Sequence, residues 1–131
     1  MKLLPILYGR STLSEHHVFA GGSREVRVPI DFIVYYLEID GRKILIDAGC
    51  DTMPKFDMVD FIGPVAALKN HGIDACDITD LIITHAHHDH IEGAKHFTGA
   101  TVYLQQAEYE KGKKYIVGNR SDCRGFGLGA E

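Results

Sequence analysis

The chain has 131 residues, 45% of them hydrophobic and 24% charged, and 14 Lys and Arg stand against 18 Asp and Glu for a formal net charge of -4. That balance predicts one soluble globular domain able to bury a working core, and it excludes disorder as the main state. The acidic excess, with no Lys/Arg-rich block, gives a polyanionic partner such as nucleic acid nothing to hold.

The N-terminal segment is interrupted by Pro5 and followed by Arg10 and Glu15, so it does not read as a secretory signal. The longest apolar run, Phe32 to Leu37, is far short of the roughly 20 residues that cross a bilayer, which excludes a membrane-spanning helix. Cys50, Cys76 and Cys123 are odd in number and form no C-x-x-C pair. A reducing, cytoplasmic setting is the simplest expectation.

In chain order, Lys2 to Tyr8 predicts an edge or first strand with a proline near its start, and Gly9 to Gly22 a loop. Residues 31 to 47 predict a β-hairpin turning at Asp40-Gly41. Pro64 early and Gly72 late bracket a helix over 60 to 71, with Val65 and Leu68 toward the sheet. Asp77 to Asp80 reads as a polar turn. Leu81 to Thr84 is a short apolar run of the kind buried in a layered α/β sheet. A short helix over Ile91 to Phe97, a strand over Thr101 to Leu104 and a helix over Gln105 to Lys114 follow. Residues 118 to 131 hold four glycines and no periodicity, so the domain is expected over 1–117 and a disordered or non-native tail over 118–131.

The chemistry concentrates in T-H-A-H-H-D-H-I-E-G-A-K-H, residues 84 to 96, at the C-terminal end of a buried strand, where ligand sites of α/β sheets lie. Imidazoles and carboxylates bind zinc and related ions, and a cation among them offsets their desolvation. His85 and His87 alternate, so on an extended loop both side chains leave one face and can grip one ion. Asp89 and His90 follow where the chain turns, and can serve a second ion beside it; two ions about 3.5 to 4 Å apart are a recurrent hydrolytic device. By the same alternation His88 points away from His87. The competing reading, an exposed histidine-rich tag, fits poorly with an internal cluster that follows a strand. His16 and His17 read as exposed loop histidines, His71 as a helix C-terminal residue, and His96 as a surface or helix residue.

Thr84-His85-Ala86-His87-His88-Asp89-His90 resembles the H-x-H-x-D-H signature of the metallo-β-lactamase superfamily, and Leu45-Ile46-Asp47-Ala48-Gly49 resembles its earlier strand-end motif. Within that superfamily, Leu7-Tyr8-Gly9-Arg10, Val28-Pro29, Tyr36-Leu37-Glu38 and Gln106-Ala107-Glu108-Tyr109-Glu110 are similar to the N-acyl homoserine lactonases. The resemblance implies an α/β fold, the N-terminal half of an αββα sandwich with two zinc ions at one sheet edge. His85 and His87 would hold the first ion, and Asp89 and His90 the second. Asp89 would be the catalytic acid/base that passes a proton to the leaving oxygen. Asp47 would orient the metal loop from beneath; a plain turn-capping aspartate is the bland alternative. The implied activity is hydrolysis of N-acyl homoserine lactones or related esters by a hydroxide shared between two metals. His90 speaks against the secreted zinc β-lactamases, and His87 against the di-iron oxygen reductases, which carry Glu there. The acidic charge also speaks against an RNA-processing nuclease.

The resemblance covers about residues 2 to 117. A complete relative would continue into a second sheet bearing a third histidine, a bridging aspartate and a further histidine, and no histidine follows His96 here. The expectation is therefore a truncated product, a fragment of a longer enzyme, or a chain completed by a partner or by a second copy of itself. Alone it is expected to hold zinc weakly and to be barely active. The alternative is a non-catalytic fragment that binds metal or a partner.

Overall fold

In the computed structural model residues 1–53 and 56–118 are described, with side chains as far as Lys113. The strands are β1 (Lys2–Ser14), β2 (Arg27–Ile39), β3 (Arg42–Ile46), β4 (Met58–Val59), β5 (Asp80–Ile83) and β6 (Thr101–Leu104). The helices are α1 (Pro64–Asn70), α2 (His88–Ile91) and α3 (Gln106–Gly118). Among the described residues the strands make one mixed sheet, in the order β4-β1-β2-β3-β5-β6. Strands β1, β2 and β3 run antiparallel, whereas β3, β5 and β6 are parallel. The parallel part is the mixed α/β architecture expected from the sequence. It brings the C-terminal ends of β3 and β5 side by side.

The hairpin turn falls on Asp40 and Gly41, both with positive φ (50° and 76°), the backbone that matches the twist of two tightly joined strands. Helix α1 starts with Pro64 at its first turn, and it stops where the Gly72 and Ile73 amides return to Lys69 and Leu68 at 2.9 and 3.1 Å.

Three expectations need correction. Residues Gly9 to Ser14 do not form a loop, because β1 continues to Ser14 opposite Arg27. The bulge between Leu7 and Gly9 shifts the register there, and a Cβ on Gly9 would lie 2.5 Å from the Phe61 ring. Lys2 to Tyr8 belongs to the first strand as expected, and Pro5 sits in the stretch that β4 does not reach, since β4 pairs with β1 only at Arg10 and Ser11. Residues 60 to 63 are not helical, since Asp60 and Gly63 have φ of 52° and 81°. The helix expected at Ile91 begins at His88 and passes into a 3₁₀ turn over Glu92–His96. The 118–131 tail lies outside the described residues apart from Gly118.

One core joins the sheet to the helices. Tyr36, Leu45 and Leu81 form a register row at 2%, 0% and 0% exposure and cluster with Ala67 and Leu68 of α1. The next row, Tyr35, Ile46, Ile82 and Tyr103, lies on the opposite face. There Tyr35, Ile82 and Tyr103 are 43%, 38% and 47% exposed, an apolar row with solvent above it.

At the end of the parallel strands remote from the histidines, buried Asp80 accepts from Arg42 Nε at 2.9 Å and from the Thr79 hydroxyl at 2.7 Å. The Arg42 guanidinium, then the Thr79 hydroxyl, hold the Asp80 carboxyl down to about 2. Because this group is more acidic when folded, its contribution to stability is present above the ordinary value of 3.8 and is lost as pH falls toward 2. In urea unfolding between pH 2 and 6, the parent should lose stability on this acid limb and Asp80→Asn should lose less; equal slopes would contradict the pairing.

Candidate metal centre

The centre is built where β3 and β5 end. The Asp47 amide makes the last ladder bond, to Ile82 O at 2.8 Å, and Asp47 itself takes φ of 61°. Asp tolerates this left-handed conformation better than most residues. The carboxylate accepts the Thr84 amide at 2.8 Å and the Thr84 hydroxyl at 2.9 Å to each oxygen. It also accepts His90 Nδ1 at 2.7 Å. Thr84 Oγ1 lies 3.0 Å from His85 Nδ1. The hydroxyl has one proton and gives it to Asp47, so His85 must donate its Nδ1 proton to the hydroxyl oxygen. Both His85 and His90 thereby turn Nε2 outward, the nitrogen a metal would take.

The turn after Thr84 closes on itself. His87 precedes α2 with extended backbone, and its carbonyl accepts from the His90 and Ile91 amides at 3.0 and 3.1 Å. The His90 carbonyl in turn receives the Ala48 amide at 2.8 Å. Gly93 donates to Gly49 O at 2.8 Å, and a Cβ there would sit 2.3 Å from Ala48 O, so the two segments touch backbone to backbone. Against the other side the Tyr8 hydroxyl donates to Asp89 O at 2.9 Å, its ring wedged edge-on between Phe32 and Phe61.

The fold brings together His85, His87, Asp89 and His90 above Asp47. The His85 ring lies 4.5 Å from His87 and 4.0 Å from His90, and His90 Nε2 is 3.4 Å from Asp89 Oδ2. His88 points the other way, to Thr52 O at 2.7 Å. His96 is held by the Asp51 carboxylate at 2.7 and 2.9 Å, His71 reaches Ala67 O at 2.9 Å, and His16 and His17 both lie on the Ser14 hydroxyl.

Burial opposes a charge on His90, yet the Asp47 and Asp89 carboxylates outweigh it and raise this group to about 9. Burial and then the neighbouring His90 and His87 push His85 down, toward the neutral form that binds metals. Burial works against the Asp89 charge, but His90 prevails and holds the carboxyl below its ordinary value. Asp47 is likewise lowered, by His90 and Thr84 against the cost of burial. Burial lifts the Tyr8 hydroxyl well above its usual range, so it remains a donor.

The model of the Metallo-beta-lactamase superfamily matches residues 34–121. The chain belongs to that superfamily. Among solved structures, AiiA of B. thuringiensis, crystallised with N-decanoyl-L-homoserine at its active site, is 26% identical with a TM-score of 0.70, covering 83% of this chain and 50% of that one. A quorum-quenching N-acyl homoserine lactone lactonase is 29% identical with a TM-score of 0.70, covering 83% and 47%. A probable metal-dependent hydrolase from Staphylococcus aureus shares the fold at 20% identity and a TM-score of 0.72, covering 92% and 52%. Patulin synthase of Aspergillus clavatus is 37% identical over 65 residues, 49% of this chain and 10% of that protein. The chain thus spans about half the length of the solved structures it matches and a tenth of the patulin synthase.

Two carboxylates flank the His90 ring and draw positive charge to it, and neutral His85 lies against that ring; both features suit a divalent cation such as zinc. Among the described residues, however, no group of three His, Cys, Asp or Glu side chains is arranged to hold one ion.

Sequence reasoning missed Tyr8, Thr84, Gly93 and the acceptor for the Ala86 amide, Glu108 at 3.1 Å. Thr84 carried a signal as a hydroxyl next to a candidate ligand, and Tyr8 and Glu108 stood in stretches similar to the lactonases, but their bonds to the loop depend on contacts between distant segments. Tyr8→Phe leaves the Asp89 carbonyl without its donor and should cost about 1–3 kcal/mol of stability in urea unfolding, with the fold retained; an unchanged midpoint would contradict that bond.

Proposed function

We propose that this chain carries the metal-loop half of a hydrolase that opens N-acyl homoserine lactones or related esters, with His85 and His87 serving one zinc ion and Asp89 and His90 a second. The observation that carries the reading is the outward turn of the His85 and His90 Nε2 atoms, set by Thr84 and Asp47. The likeness to lactonases at 26% and 29% identity supports the substrate class, since AiiA holds N-decanoyl-L-homoserine at its active site.

Zinc, when bound, supplies Lewis acidity toward a lactone carbonyl and makes water more acidic at neutral pH. This chain's own residues do the remaining work. Asp47 holds the two Nδ1 protons, directly at His90 and through Thr84 at His85, which fixes the ring faces. Asp89, kept ionised by His90 and anchored through its carbonyl by Tyr8, is the group to take a proton from attacking water and deliver it to the alkoxide that leaves as the ring opens. His88 takes no part. Catalytic zinc ordinarily has about three protein ligands and a water, so two donors per ion leave room for residues supplied from elsewhere.

A second reading is a non-catalytic fragment that binds metal, or that binds a partner or a second copy of itself. It is favoured by the absence, among the described residues, of any three donors set around one ion and by the exposed row of Tyr35, Ile82 and Tyr103. For either form we propose a reducing cytoplasm as the setting, on the odd number of cysteines and the lack of a C-x-x-C pair.

Metal analysis with a lactone-opening assay separates the readings. The hydrolase reading expects zinc uptake and slow opening of an N-acyl homoserine lactone above the metal-free background. Both should be lost in the double variant His85→Ala/His87→Ala and kept in His88→Ala. Zinc uptake with no opening would favour the metal-binding fragment, and no uptake at all would contradict the hydrolase reading and leave only the fragment that binds a partner or a second copy.

A further inference from the structure

Ala86, between the two histidines of the first donor pair, is 1% exposed, and residues 85 and 86 belong to no strand or helix. A buried amide in such a stretch needs an acceptor from elsewhere in the protein. Glu108 supplies it: Oε2 accepts the Ala86 N–H at 3.1 Å across 22 residues of sequence. Glu108 sits in the first turn of α3, whose start is marked by its own and the Tyr109 amide returning to Gln105 O at 3.0 and 3.1 Å. In a capping box the glutamate three residues into a helix folds back onto the helix start, but that box takes Ser or Thr where Gln105 stands. This one reaches over to the histidine loop instead. The first turn of a helix favours a negative charge, so the carboxylate is well placed to make a charge-assisted bond to that amide.

We propose that Glu108 is a positioning residue for the metal centre: by fixing the peptide between His85 and His87 it sets both imidazoles toward one ion. This rests on the metal-binding reading above. The directions of the two side chains follow from the backbone angles of residues 85 to 87. Thr84 is held by Asp47 before this peptide, and the Asp89 and His90 carbonyls are held by Tyr8 and Ala48 after it. Glu108 holds the segment in between. Freed of that bond, the peptide can rotate and the His85–His87 pair, now 4.5 Å ring to ring, can spread.

The test compares the full chain with Glu108→Gln, Glu108→Ala and Glu108→Asp. Glutamine keeps a carbonyl oxygen at the same reach, alanine removes the acceptor, and aspartate keeps the charge but is one methylene short. Zinc affinity is read by competition with a chromophoric chelator, alongside the unfolding midpoint and the exchange rate of the Ala86 amide. The proposal expects Glu108→Ala and Glu108→Asp to weaken zinc binding about tenfold or more and to speed Ala86 exchange, while Glu108→Gln stays close to the parent in both. Should Glu108→Ala fail to fold, the contrast between Glu108→Asp and Glu108→Gln decides. Equal zinc affinity in all variants of a zinc-binding parent would overturn the role of Glu108 and leave the metal reading standing. Affinity losses that merely track the unfolding midpoint, with no recovery in Glu108→Gln, would reduce it to general stability and also overturn it. A parent that takes up no zinc would overturn the metal reading first, and this proposal with it.

Discussion

The Asp47 carboxylate is the constraint on which the rest of the centre depends. It follows directly on β3, it meets the first residue after β5, and it accepts a hydrogen bond from His90 Nδ1. A buried carboxylate is costly unless every lone pair facing the interior finds a donor, and here Thr84 and His90 supply them. The same bonds that satisfy Asp47 decide which nitrogen each histidine presents. Stability of the strand ends and the chemistry of the loop are therefore one problem with one solution. The positive φ of Asp47 is the local strain this arrangement carries, and the surrounding bonds keep it in place.

The sequence made the loop easy to find and its supports hard to find. Alternation alone separates His85 and His87 from His88, and the structure has His88 turned to Thr52. The hairpin was readable because Asp40-Gly41 states its turn chemistry locally. The length of β1 was not, because Arg10 and Thr12 look like loop residues until β2 is seen opposite them. The short β4 was hidden for the same reason, since two residues pair only because Arg10 and Ser11 are already in place. Tyr8 and Glu108 act on the loop from 81 and 22 residues away, and no local pattern encodes such contacts.

Fold and function part company at the edges of this chain. The sheet buries one face under α1 and leaves the row of Tyr35, Ile82 and Tyr103 exposed on the other. The four candidate donors lie within six residues of each other, at the turn after β5 and in α2, yet among the described residues no three of them close around an ion. Both observations have the same character: a surface prepared on one side only. Membership of the superfamily accounts for the half that is present, while the chemistry attributed to it stands on the orientation of a few imidazoles.

Those imidazoles can be observed directly. Histidine-ring ¹⁵N NMR during a zinc titration reads the state of each nitrogen. The account predicts that the Nε2 signals of His85, His87 and His90 move to metal-bound positions, that the Nδ1 proton of His90 persists against Asp47, and that the rings of His71, His88 and His96 stay where they were. Zinc-induced shifts at His88 or at His16 and His17, with His85 and His90 unmoved, would contradict it.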